Sequence, residues 1–164
     1  MIISKSILGA TGEYYVAAEL GKRNIYAQLT VGNQKRTDLL IFSEDNDKLL
    51  KIEVKCKQGN EWPNCKGICQ KDSFLIFVDL KGIEATQRPV FYVLSVDDWE
   101  KIVINKEREY LKKHPDRKTK IEQNVLILLS EVNKQGIPYK GCGIKPKDIE
   151  LFMERWDSIC NLIK

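Results

Sequence analysis

The segment from Thr37 to Cys56 constrains this chain more than any other. Two strand-like apolar runs, Thr37 to Phe42 and Leu49 to Cys56, flank the polar turn Ser43-Glu44-Asp45-Asn46-Asp47. Such a pattern folds as an antiparallel hairpin. With the tip between Asp45 and Asn46, Phe42 faces Leu49, Leu40 faces Lys51 and Asp38 faces Glu53. Alternation then puts Lys55 on the same face as Glu53, while Leu39, Ile41, Leu50, Ile52, Val54 and Cys56 form an apolar core face.

The flanking sequence surrounds this hairpin with further elements. A helix is expected from about Thr11, as N-cap, to Arg23, with Asn24 as its stop and Val16, Ala17 and Leu20 as its buried stripe. Glu13 lies on that stripe and points inward. Ile25 to Val31 reads as a strand ahead of Gly32-Asn33, completing an antiparallel meander. Ser73 to Leu80 is apolar enough for a buried central strand, and Val90 to Ser95 follows as another. Asp97 to Val103 and Asn105 to Lys113 read as helical, with Pro115 ending the second. Val125 to Leu129 fits either a strand or a buried helical turn. After Pro146, the spacing of Ile149, Phe152, Met153, Trp156, Ile159, Cys160 and Ile163 predicts a core-packing C-terminal helix. The expected class is α/β, a mixed central sheet flanked by helices.

Asp38 and Glu53, directly opposite across strands, repel each other unless something bridges them. A divalent cation is the natural bridge, because magnesium takes hard oxygen ligands and is commonly held by one or two carboxylates with water and phosphate oxygens. A metal there polarises a phosphoryl group and acidifies a bound water, and Lys55 orients that water or offsets charge developing on phosphorus. Glu13 reaches the same metal, directly or through water, if its helix packs on the sheet.

These residues resemble the PD-(D/E)XK phosphodiesterase superfamily of restriction enzymes, Holliday-junction resolvases and repair nucleases. Gly12-Glu13 with Val16-Ala17-Ala18-Glu19-Leu20 is similar to that family's first helix, Thr37-Asp38 to its first motif, and Glu53-Val54-Lys55 to the (D/E)XK itself. The resemblance spans roughly Gly9 to Leu80. Thr37 stands where the motif's name has proline, and Gln58 to Asp72, with Pro63 and Gly67, is short where the family usually has a helix. The resemblance implies a restriction-endonuclease-like core in α-β-β-β-connection-β order. It also implies a Mg2+ (or Mn2+) cofactor held by Asp38, Glu53, the Val54 carbonyl and accessory Glu13, with Lys55 as catalytic lysine and DNA as substrate.

At 164 residues with 43% hydrophobic and 30% charged side chains, the chain fits one domain over residues 1–164. No run approaches the roughly 18 apolar residues of a membrane span, and Met1-Ile2-Ile3-Ser4-Lys5 opens no signal peptide, so a soluble, cytoplasmic protein without a membrane partner is expected. The net charge of +4 equals the excess of seven basic over three acidic residues in Lys106 to Lys120. Lys112, Lys113, Arg117 and Lys118 of that stretch, together with Lys57, are the expected contacts to nucleic acid. Cutting both strands with one small site per chain is easiest for a symmetric homodimer.

Blander readings run alongside. Alternating Lys and Glu also decorate solvated edge strands, and the basic stretch equally suits a soluble helix face. Trp62, Trp99 and Trp156 read as packing residues. The five cysteines, odd in number and irregular in spacing, argue for reduced thiols; Cys65 and Cys69, with Cys56 and His114 or Cys142, make a weaker zinc site because C-x3-C lacks a second pair. The alternatives to a nuclease are thus a catalytically silent nuclease-fold module that binds nucleic acid or a partner, and a zinc-stabilised interaction protein.

Overall fold

A computed structural model describes residues 3–30, 37–43, 45 and 47–163. The chain opens on helix α1, Lys5–Gly21, whose N-cap is Ser4 rather than Thr11. Thr11 lies inside the helix, where its hydroxyl donates to the Ile7 carbonyl at 2.7 Å instead of capping an N–H. Asn24 does end the segment, with a left-handed φ of 60°.

Strands β1 (Ala27–Leu29), β2 (Leu39–Phe42) and β3 (Leu49–Lys57) form the antiparallel meander that the sequence suggests. The expected register holds, with Leu40 opposite Lys51 and Phe42 opposite Leu49. Val31, the Gly32-Asn33 separator, and Glu44 and Asn46 of the hairpin tip lie outside the described residues. β4 (Trp62–Cys65) occupies part of the connection. β5 (Ser73–Asp79) then enters parallel to β3, and β6 (Val90–Ser95) returns antiparallel beside it. The five-stranded sheet has the order β1-β2-β3-β5-β6 and is mixed. β5 is an inner strand and buried along nearly its whole length, as a continuous apolar run requires.

The two helices expected between Asp97 and Lys113 are one, α2, Val96–Lys113. Ser95 and Asp98 close its N-terminus by reciprocal hydrogen bonds, and nothing between Val103 and Asn105 interrupts it. The ambiguous run is a strand. β7 (Thr119–Glu122) and β8 (Val125–Val132) form a hairpin, turned by Gln123 and Asn124 at φ 49° and 57°. β9 (Pro138–Lys140) completes a three-stranded sheet, and β10 (Cys142–Ile144) pairs with β4.

The expected C-terminal helix is present but begins later than the sequence suggests. Two 3-10 turns, Pro146–Asp148 and Glu150–Phe152, precede a short helix α3, Asp157–Ile163. Helical continuity breaks at Glu154, whose φ of 54° lets its N–H reach the Phe91 carbonyl at 2.9 Å while Met153 bridges to Tyr92. The residues expected to be buried are buried, except Met153, which is 45% exposed.

Two cores result. α1 and α3 cover one sheet face, against Ile52, Val54, Ile76, Val78, Phe91 and Val93, with Trp156 among them. α2 and the β4–β10 pair cover the other, against Leu75, Phe77, Tyr92 and Leu94, with Trp62 and Trp99 buried there. All three tryptophans pack in the core, as expected. No helix among the described residues is long and apolar enough to cross a membrane.

Candidate active site

The site forms where β2 begins and β3 runs on past it. Ile52 and Val54 of β3 face α1, so Glu53 and Lys55 face the opposite side. Asp38 immediately precedes β2. Its backbone N–H donates to the Ile52 carbonyl at 2.7 Å, and its carboxylate Oδ2 accepts the Val54 N–H at 2.6 Å. A side chain therefore takes the place of the next ladder bond, bringing the Asp38 carboxylate onto the Glu53-Val54-Lys55 backbone.

Glu53 is only 4% exposed. Its Oε1 lies 2.8 Å from the Lys55 ammonium, which also approaches the Val54 carbonyl at 3.4 Å. Its Oε2 is buried and has no hydrogen-bond partner among the described residues. A desolvated carboxylate oxygen with nothing to accept from is costly, and such an atom calls for a cation.

Glu13 comes from α1. The helix sits close to β3 because Gly12 meets Val54 and Cys56: a Cβ on Gly12 would lie 2.6 Å from the Cys56 Cβ. Burial raises the Glu13 carboxyl above its ordinary value, the Asp38 charge adds to this, and Lys55 opposes it. Glu13, Asp38 and Lys55 thus share one electrostatic environment. Gly12→Ala is expected to destabilise by about 1–2 kcal/mol in urea denaturation, because overpacking costs more than alanine's better helix propensity returns. A stabilised variant would mean that α1 is not seated on β3 this tightly.

Lys57 requires a correction. It is 3% exposed, 2.6 Å from Asp79 Oδ1, bonded to the Gly59 carbonyl and stacked over the Trp62 ring at 4.5 Å. Its ammonium is consumed by the fold and does not face a phosphate. Lys112 and Lys113 are exposed on the last turn of α2, and Arg117 and Lys118 are exposed beyond it, Arg117 donating to the Ser130 carbonyl at 2.9 Å. These four flank the three-stranded sheet rather than Glu53.

The sequence reading missed one contributor. Gly12 was visible only as part of a motif, although a glycine in mid-helix beside an inward acid signals close packing. Cys65 on β4 is buried in the second core, where burial raises its thiol. Among the described residues, no set of three or more His, Cys, Asp and Glu side chains is close enough to hold a metal by itself. Neither the cysteines nor Glu13, Asp38 and Glu53 stand as a preformed cage.

The donor set still fits magnesium, which is usually held by one or two carboxylates and completed by water and phosphate oxygens. Glu53 Oε2, the second oxygen of Asp38 and the Val54 carbonyl are all hard oxygens of that kind.

No protein-family model matches the sequence. No curated protein matches it either. Among solved structures, it is similar to the bacterial homing endonuclease I-Ssp6803I, at 18% identity and a TM-score of 0.40 over 58% of this chain and 71% of that one.

Proposed function

We propose that this chain is a PD-(D/E)XK-type nuclease that hydrolyses DNA phosphodiester bonds with Mg2+ or Mn2+. The observation that carries the reading is the orphaned, buried Oε2 of Glu53 beside Asp38 and Lys55. Asp38, Glu53 and the Val54 carbonyl would hold the ion, with Glu13 reaching it through water. A bound divalent ion supplies Lewis-acid polarisation of the phosphoryl oxygen and a more acidic water.

The side chains do the rest. Lys55, paired with Glu53 Oε1, would orient the attacking water or offset charge on the scissile phosphate. Glu13, whose carboxyl is raised by burial, would accept the proton that the water loses. Water oxygen then bonds to phosphorus, the bridging P–O bond breaks, and the leaving oxygen takes a proton from solvent.

Incubation with supercoiled plasmid tests the proposal. Nicked or linear product is expected with Mg2+ or Mn2+, none with chelator, and little from Lys55→Ala. Plasmid bound but left intact with either metal would instead support the silent binding module.

The exposed lysines of α2 are expected to hold phosphates without reading sequence. Charge reversal of Lys112 and Lys113 should flatten the slope of log affinity against log salt by up to about 2, measured on nonspecific duplex. An unchanged slope and affinity would make the stretch a solvated helix face only.

A further inference from the structure

A cavity of about 480 Å³ lies between the C-terminal half of α2, the face of β8 and β9, and the β4–β10 pair. Its walls differ from those of the Glu53 site. Tyr110 of α2 and His114, the residue that caps its C-terminus, lie with ring centroids 4.9 Å apart and planes tilted by 45°, and Tyr110 is held in place by donating its hydroxyl to Glu131 Oε1 at 2.6 Å. Tyr139 of β9 lines the same cavity, 52% exposed and anchored by its backbone pairing with Leu128. The floor is a close passage of chain. Gly141 has a φ of 104°, and a Cβ on it would come within 2.8 Å of the Cys65 carbonyl oxygen, so only glycine fits there.

The charges are divided. The Lys106 ammonium is already spent on Asp148 at 2.6 Å and Glu109 at 3.4 Å. Lys113 lines the cavity, is exposed, and has no ion pair among the described residues. Aromatic rings on two walls with one available ammonium suit a planar heteroaromatic ring joined to an anion. The geometry points to a nucleotide-binding pocket: a base lies against Tyr139 and the Tyr110–His114 pair, and its phosphate meets Lys113.

This inference rests on the DNA reading for its ligand class. Its test uses no metal and no cleavage, so the two can fail separately. The nucleotide has two sources, a free mononucleotide or an unpaired nucleotide of a strand. Calorimetric titration with dAMP and with a six-nucleotide oligodeoxyadenylate distinguishes them, on wild type, Tyr139→Ala and Lys113→Ala in the presence of chelator.

Removing the exposed Tyr139 ring should weaken binding about tenfold or more, as loss of a stacking platform does, and Lys113→Ala should weaken it severalfold. Comparable affinity for both probes identifies a free-nucleotide pocket. Binding of the oligonucleotide alone, sensitive to Tyr139→Ala, identifies capture of an unpaired strand. Binding of neither probe, or binding that Tyr139→Ala leaves unchanged, overturns the assignment.

Discussion

On the proposed function, Glu53→Gln is expected to lower metal-dependent cleavage by about 10³-fold or more, because a metal held there would be worth several kcal/mol of transition-state stabilisation and each 1.36 kcal/mol is a factor of ten. The substitution preserves shape. Glutamine keeps an oxygen for Lys55, replacing the contact now made at 2.8 Å, and removes a buried charge whose second oxygen has no partner. In chelator, the melting temperature should therefore stay within about 4 °C of wild type, the shift that roughly 1 kcal/mol produces in a chain of this size. Full activity in the variant would remove Glu53 from the chemistry. If the variant unfolds, Asp38→Asn serves in its place, since asparagine's oxygen can still accept the Val54 N–H.

The second large effect concerns Glu19, which is buried and holds three partners together. Arg88 grips it through two nitrogens at 2.9 Å, and Lys22 and Arg23 add contacts at 2.6 and 2.9 Å. Arg88 also grips Glu154 at 2.8 and 2.7 Å, tying α1 to the break before α3. The Arg88 hydrogen bonds are the main reason that the Glu19 carboxyl falls from 4.5 to about 2. A depressed carboxyl contributes stability above its unfolded value and loses it as pH falls from about 4.5 toward 2.

Arg88→Ala should cost about 2 kcal/mol at pH 7. That is less than a fully buried pair would lose, because Arg88 is 43% exposed and Lys22 and Arg23 remain. The loss should shrink as both proteins approach pH 2. Arg88→Lys should recover little, lacking the two-pronged grip. Urea denaturation at pH 7 and pH 3 measures this, and an equal deficit at both values would show that packing of Arg88 over the Phe91 ring, not charge, dominates.

Much of the site's scaffold is legible in the sequence because it is local. A polar tip between two apolar runs sets the hairpin register, which in turn sets Asp38 against the Glu53 strand. What escapes is long-range. Lys57 looks like a surface lysine until β5 pairs in parallel and brings Asp79 opposite it, with Trp62 of β4 beneath. The C-terminal periodicity identifies the buried side chains correctly but not the backbone, since Glu154 is pulled out of helical geometry by Phe91 and Arg88, more than sixty residues away. The start of α1 is missed because Thr11 resembles a cap, yet its hydroxyl finds a carbonyl one turn back. The repulsion expected between Asp38 and Glu53 is also reduced by contacts no pairing diagram contains. One oxygen of each carboxylate is satisfied, by the Val54 N–H and by Lys55.

Calorimetric titration of Mn2+ into the metal-free protein measures directly whether a divalent ion goes to Glu53 Oε2, the carboxylate oxygen without a partner among the described residues. One site is expected in wild type. It should be retained in Lys55→Ala, which removes no ligand, and lost in Glu53→Gln. Equal Mn2+ binding by wild type and Glu53→Gln, or no binding by wild type with duplex DNA present to complete the coordination, would contradict the assignment of Asp38, Glu53 and Lys55 as a metal-dependent active site.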